Sequence, residues 1–118
     1  VKSCRDATER GFSNAFGQYH YHIQAAFYLY VLKLATGIER NQFAFFAIEN
    51  TAPYRNCMYY IGEESLDLGR QQMFSALWKI KECQEDEDLK YEGIVLPSNE
   101  INVPAYLLDE EYDDEVIL

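Results

Sequence analysis

Between residues 18 and 36 the chain carries more apolar side chains than a single helical stripe needs. Tyr19, Ile23, Ala26, Phe27, Tyr30 and Leu34 recur at the three- and four-residue intervals of an α-helix. Ala25, Leu29 and Leu32 make the other side apolar too, so the spacing predicts a helix buried nearly all round. Gly37 stands where a left-handed C-terminal cap is expected. A helix of this kind demands a core around it, and the neighbouring segments have to supply that core.

Residues 42–49 contain the run Phe43-Ala44-Phe45-Phe46-Ala47-Ile48, which suits a strand covered on both faces. Residues 50–56, with Pro53 and two asparagines, have a turn composition. Residues 57–61 then predict a second strand, antiparallel to the first and ended by Gly62. A second long helix is expected over 63–83, with Leu66, Met73, Leu77 and Ile80 on one face. Its first turns hold Glu63, Glu64 and Asp67 and its last hold Lys79 and Lys81, the order that favours the helix dipole.

Upstream, residues 1–4 read as the end of a strand, and 6–16 as a short helix or turn region limited by Gly11 and Gly17. Downstream, 84–88 form an acidic linker, and 93–108 irregular extended structure around Pro97 and Pro104. No internal repeat is present. Strand end, helix, strand, strand, helix is an α/β order, with no complete βαβ hydrogen-bond partner visible upstream. Two full strands alone are marginal, so the expectation is that an N-terminal part of the domain lies outside this sequence.

The chain has 118 residues, enough for one modest domain. At 48% hydrophobic and 15% aromatic residues it is too apolar to be a disordered chain. No apolar run reaches the roughly 18 residues of a membrane helix, and the polar start Val1-Lys2-Ser3-Cys4-Arg5-Asp6 is no signal peptide. A cytoplasmic location with no membrane partner is therefore expected. Cys4, Cys57 and Cys83 are too far apart for a CxxC motif and read as reduced, buried small hydrophobes.

The net charge of −10 is unevenly spread. Residues 1–81 hold nine basic and seven acidic side chains, whereas 82–118 hold thirteen acids and one lysine. The body is near neutral, and the acidity belongs to one end, read as a solvated or partner-facing segment. The expected division is a domain over 1–108 and a disordered acidic tail over 109–118.

The most specific stretch is Tyr19-His20-Tyr21-His22-Ile23-Gln24-Ala25-Ala26-Phe27-Tyr28. Gln24 and Tyr28 stand four apart and share a helix face, with His20 a turn earlier on the same line. An amide, a phenol and an imidazole in a row can contact a phosphate or a base. Taken alone, such a row is more often the satisfied polar edge of a core helix.

The stretch resembles the YxYHxQxAFY segment of RecE-type exodeoxyribonuclease VIII, and it contains the QxxxY motif of RecB-like nucleases of the PD-(D/E)XK superfamily. Val1-Lys2-Ser3 is similar to the continuation of that family's Asp-Val-Lys-Ser/Thr strand, with the Asp position just before Val1. Ala47 to Tyr54, Gly62-Glu63-Glu64, and Ile101 to Tyr106 resemble later elements of the same nucleases, the last with Tyr106 where they carry Trp.

The resemblance implies the C-terminal part of a restriction-endonuclease-like α/β fold, with a mixed sheet flanked by helices. It implies a Mg²⁺- or Mn²⁺-dependent 5′→3′ exonuclease acting on double-stranded DNA ends in phage-type recombination. A single-strand annealing protein would be its partner and a ring-shaped homo-oligomer its assembly. Lys2 would orient or activate water and stabilise developing charge, the Val1 main-chain carbonyl would be a metal ligand, and Gln24 and Tyr28 would position the DNA strand or the active-site lysine. His20 and Ser3 would contact substrate. The acidic metal ligands of the family have no counterpart in this sequence, and neither Asp6 nor Glu49 is expected to replace them, so this segment alone is expected to bind no metal and to be inactive. Two alternatives stay open: another RecB-like nuclease of the Cas4 kind, for which the cysteine spacing gives no iron–sulfur pattern, and a non-catalytic acidic interaction module.

Overall fold

The computed structural model describes residues 1–86 and 98–108. The expected acidic tail, and residues 87 and 88 of the expected linker, lie outside the described residues. The chain divides into two compact units, Val1–Glu82 and Cys83–Leu118. In the first unit the order is β1 (Lys2–Cys4), α1 (Glu9–Gln18), α2 (Tyr21–Thr36), β2 (Ala44–Glu49), β3 (Asn56–Tyr60) and most of α3 (Glu63–Glu85).

The three strands form one mixed sheet in the order β1-β2-β3. β1 pairs parallel with β2, Lys2 opposite Ala47 and Cys4 opposite Glu49. β2 pairs antiparallel with β3, Phe45 opposite Tyr59 and Ala47 opposite Cys57. The chain therefore contains its own parallel crossover, β1-α1-α2-β2, and the partner of β1 is the downstream strand β2. Three residues are too few for β1 to show any sequence period, and its partner is distant in the chain.

Alternation along the strands sorts the sheet's two faces. Phe45, Ala47 and Glu49 are buried beneath the helices, while Phe46 and Ile48 on the other face are half-buried and Met58 and Tyr60 exposed. Only one face of the sheet is deeply covered by the described residues, so the two-sided burial inferred for 42–49 is corrected to one-sided.

Asp6 builds the turn from β1 into α1: its carboxylate accepts from the Thr8 N–H at 2.9 Å. Thr8 caps the helix by accepting from the Gly11 N–H at 3.3 Å. α1 runs through both Gly11 and Gly17, the two residues expected to limit it. Its single buried residue, Phe12, stacks on Tyr59 at 5.0 Å between centroids and also meets Phe45 and Tyr21.

α2 begins at Tyr21 rather than residue 18, because His20 takes a left-handed conformation (φ 54°, ψ 44°) and separates it from α1. Gly37 ends it in the left-handed region, as its position predicts. The buried line is His22, Ala25, Ala26 and Leu29. The all-round burial expected of this helix is not found: Phe27, Tyr28, Val31, Leu32 and Leu34 are exposed. Among the described residues, the sheet and α3 cover two sides of the helix and nothing covers the rest.

α3 crosses α2 closely at Gly69, where a Cβ would lie 2.2 Å from the His22 carbonyl oxygen. Beside that crossing, Nε2 of His22 lies 2.6 Å from Oε1 of Gln72. Leu66 and Met73 join the core on this side, but Ile80 is exposed. The helix runs on to Glu85, so Lys79 and Lys81 precede its last turn, which holds no basic residue. In the second unit the described residues are the end of α3, an irregular stretch, and the single helical turn α4 (Ala105–Leu108) where extended chain was expected. All three cysteines are free thiols; Cys57 is exposed rather than buried, and Cys4 and Cys83 are partly exposed.

Candidate functional site

Lys2 opposite Ala47 on the parallel register points to the helix-covered face of the sheet. There its Nζ lies over the Tyr21 ring, 4.4 Å from the centroid, within cation–π range. Tyr21, the first residue of α2, also packs against Phe45 (5.7 Å), Tyr19 (5.8 Å) and Phe12 (6.0 Å). Burial is the main cause that raises its phenol pKa, with smaller contributions from Tyr19 and Cys4.

Tyr21, Gln24 and Tyr28 follow at i, i+3 and i+7 and so lie along one side of α2. Nε2 of Gln24 donates to the Tyr28 hydroxyl at 3.3 Å, and the Tyr28 ring meets Phe43 at 6.1 Å. An ammonium, a phenol, an amide and a second phenol thus form a row from the start of β1 along the first half of α2. Tyr21 is the member absent from the sequence-derived candidates; its place at i−3 from Gln24 is the signal that points to it.

His20 does not join this row. Its carbonyl accepts from the N–H groups of Ile23 (3.0 Å) and Gln24 (3.3 Å) at the start of α2, and its ring faces that of His22 at 5.8 Å. The helical line assumed for it fails because it sits in the break between two helices. Ser3 lies on the opposite face from Lys2 by strand alternation, though it borders a cleft of about 500 Å³ at the carboxyl ends of β1 and β2. Asn14, Gln18, Tyr19 and Asn50 line the same cleft. The ends of adjacent parallel strands are where α/β sheets commonly bind ligands. Val1, immediately before β1, is 89% exposed.

The carboxylates at the ends of β1 and β2 are already committed. Glu49, at the end of β2, is buried and accepts from Arg55 Nε at 3.0 Å and from the Ala7 N–H at 3.1 Å. Arg55 Nη2 reaches it at 2.9 Å and Asp6 at 3.8 Å. The Arg55 hydrogen bonds, opposed by desolvation, lower the Glu49 pKa to about 2. No group of three His, Cys, Asp or Glu side chains able to hold a metal occurs among the described residues. The donors present near Lys2, one main-chain carbonyl and a carboxylate tied to arginine, do not make a Mg²⁺ site by themselves.

No helix among the described residues is long and apolar enough to cross a membrane. Residues 1–91 match the family described as a PDDEXK-like domain of unknown function, DUF3799. No curated protein is significantly similar to the chain.

Proposed function

We propose that this chain, which belongs to the PDDEXK-like family DUF3799, carries the phosphate-handling half of a DNA exonuclease site. The observation that supports this most directly is Lys2 on Tyr21, a turn along α2 from the hydrogen-bonded Gln24 and Tyr28. In this reading the Lys2 ammonium leaves the ring face to meet a phosphate oxygen and stabilises the charge that develops there. Gln24 and Tyr28 hold the adjacent backbone or base, the amide by hydrogen bonds and the ring by stacking.

The substrate is linear duplex DNA, degraded from its ends as in phage-type recombination, with an annealing protein receiving the exposed strand and a ring of subunits surrounding the duplex. Divalent-metal dependence enters through the resemblance to RecE-type nucleases. The carboxylates such an ion needs would come from groups beyond the described site, set against the edge of β1 that no described strand pairs. The Val1 carbonyl would add one oxygen.

The test uses the full-length protein that contains these residues. Wild-type protein should release acid-soluble nucleotides from linear duplex DNA in Mg²⁺ and leave closed circular DNA intact. Lys2→Ala should lower that rate on the order of 10²- to 10³-fold, the usual cost of removing one transition-state donor, with an unchanged melting temperature. Full activity in the variant, or no Mg²⁺-dependent degradation by wild type, would reject the assignment.

A further inference from the structure

A second cavity, on the α3 side of α2, combines cations with aromatic walls. Its floor is Ala26, Leu29 and Met73, all buried. Tyr30 and Phe74 form one wall, their rings 5.2 Å apart and nearly perpendicular. Lys33, Arg40 and Arg70 stand on the rim with one acid, Glu39. The volume is about 220 Å³, below the roughly 300–1,000 Å³ of sites for drug-sized ligands.

The three cations are bound to different degrees. Arg70 is held by Asp67 at 2.9 Å and by Asn41 at 3.3 Å, which fixes its guanidinium while leaving donors over. Lys33 is 3.7 Å from Glu39, and both side chains are more than half exposed, so this pair is weak and replaceable. Arg40 makes no hydrogen bond or ion pair with any described residue. An inorganic anion would use only the rim, and a neutral ring only the floor. A phosphate attached to a planar ring uses both.

We infer that this cavity holds one nucleotide of a single DNA strand, its phosphate on Arg40 and Arg70 and its base against Tyr30 and Phe74. The inference rests on the nuclease reading for the choice of DNA. Lys33 is nine residues beyond Gln24, roughly 14 Å along the helix axis and about 180° around it. A strand leaving the Gln24–Tyr28 row therefore reaches the cavity by passing around α2, a path of roughly 20 Å that about six nucleotides span.

The experiment is fluorescence anisotropy on the full chain with an oligothymidylate of about a dozen nucleotides, in chelator so that nothing is cleaved. Arg40→Glu should weaken binding at least ~5-fold and flatten its salt dependence by about one single-strand phosphate contact. Phe74→Leu keeps the apolar fill and removes the ring; it should weaken binding ~5-fold or more with little change in melting temperature. Thymidine monophosphate should compete, and inorganic phosphate should compete far less. If Lys2→Ala weakens binding while both cavity variants match wild type, the cavity inference is overturned and the nuclease reading stands. If wild type does not bind the oligonucleotide, the cavity inference falls, while the nuclease reading is still decided by the degradation of linear duplex DNA. If an acidic tyrosine-containing peptide displaces the oligonucleotide from wild type but not from Arg40→Glu, the cavity is a peptide site and the inference is wrong.

Discussion

Arg55 grips the carboxylate of Glu49 from two atoms: Nε sits 3.0 Å from each oxygen and Nη2 lies 2.9 Å from Oε2. The same carboxylate accepts from the backbone N–H groups of Ala7 and Arg55. One buried acid thereby ties the β1–α1 turn to the β2–β3 turn at the end of the parallel strand pair. Its pKa falls from 4.5 to about 2 because the charged form is the one hydrogen-bonded by Arg55. A depressed carboxylate adds stability that is complete above its unfolded pKa and is lost as pH falls through its folded pKa. The chain should therefore lose melting temperature between about pH 4.5 and pH 2. Asp6, lowered chiefly by its hydrogen bonds to Thr8, acts in the same direction. Glu49→Gln should melt below wild type at pH 7, and the gap should close toward pH 2. An equal gap at both pH values would show that the charge is not what matters.

The Gln24–Tyr28 pair lies outside the buried core, since Tyr28 is exposed and Gln24 only half-buried. Its hydrogen bond, long at 3.3 Å, should contribute about 0.5–1 kcal/mol or less to stability. On the proposed nuclease reading, Gln24→Ala and Tyr28→Phe should therefore cost far more in DNA turnover than in melting temperature. Each is expected to leave denaturant midpoints nearly unchanged while slowing degradation of duplex ends at least tenfold. A parallel drop in stability and activity would return these residues to a purely structural role.

Phe12 is the aromatic hub of the covered sheet face, 3% exposed and in ring contact with Tyr21, Phe45 and Tyr59. Truncation removes those contacts and leaves a void that two flanking tyrosines cannot fill. Phe12→Ala should cost about 3–5 kcal/mol in urea unfolding, whereas Phe12→Leu should recover a large part of that. A cost below about 1 kcal/mol for the alanine variant would mean that α1 is not seated on the sheet as described.

The legible parts of this fold are those with a period or a breaker. Residues 42–49 and 57–61 declare a strand pair by their apolar runs and the Pro53 turn, and Gly37 marks the end of α2. What stays hidden is set by tertiary pairing. β1 is three residues long and exists because Ala47, Ile48 and Glu49 receive it. His20 breaks a helix that its flanking apolar residues would have continued, and a left-handed backbone at a non-glycine residue leaves no mark in composition. Within the candidate site, Gln24 and Tyr28 are legible through their four-residue spacing. Tyr21 is obscured because a tyrosine among tyrosines gives no hint that a lysine from a distant strand will cover it. Glu49 carries the opposite ambiguity: a strand-end acid looks free until Arg55 is folded back upon it.

Two glycines inside helices should respond to alanine with opposite sign. Gly17, in α1, has open space where a Cβ would go: apart from its chain neighbours and the adjoining backbone of its own helix, no atom of the described residues lies within 4 Å of that position. Alanine there lowers the backbone entropy of the unfolded chain and should stabilise by roughly 0.5–1 kcal/mol. Gly69, in α3, faces the backbone of α2: a Cβ would sit 2.2 Å from the His22 oxygen and 2.7 Å from its carbonyl carbon. Neither atom belongs to a side chain that can swing away, so α2 and α3 must separate. That movement also stretches the 2.6 Å contact between His22 and Gln72 and opens the packing of Leu66 and Met73 against Ala26. Overpacking of this kind should outweigh the helix-propensity gain and destabilise Gly69→Ala by about 1–3 kcal/mol or more. Paired urea titrations of the two variants decide the point; a neutral or stabilising Gly69→Ala would mean that the two helices do not meet at this glycine.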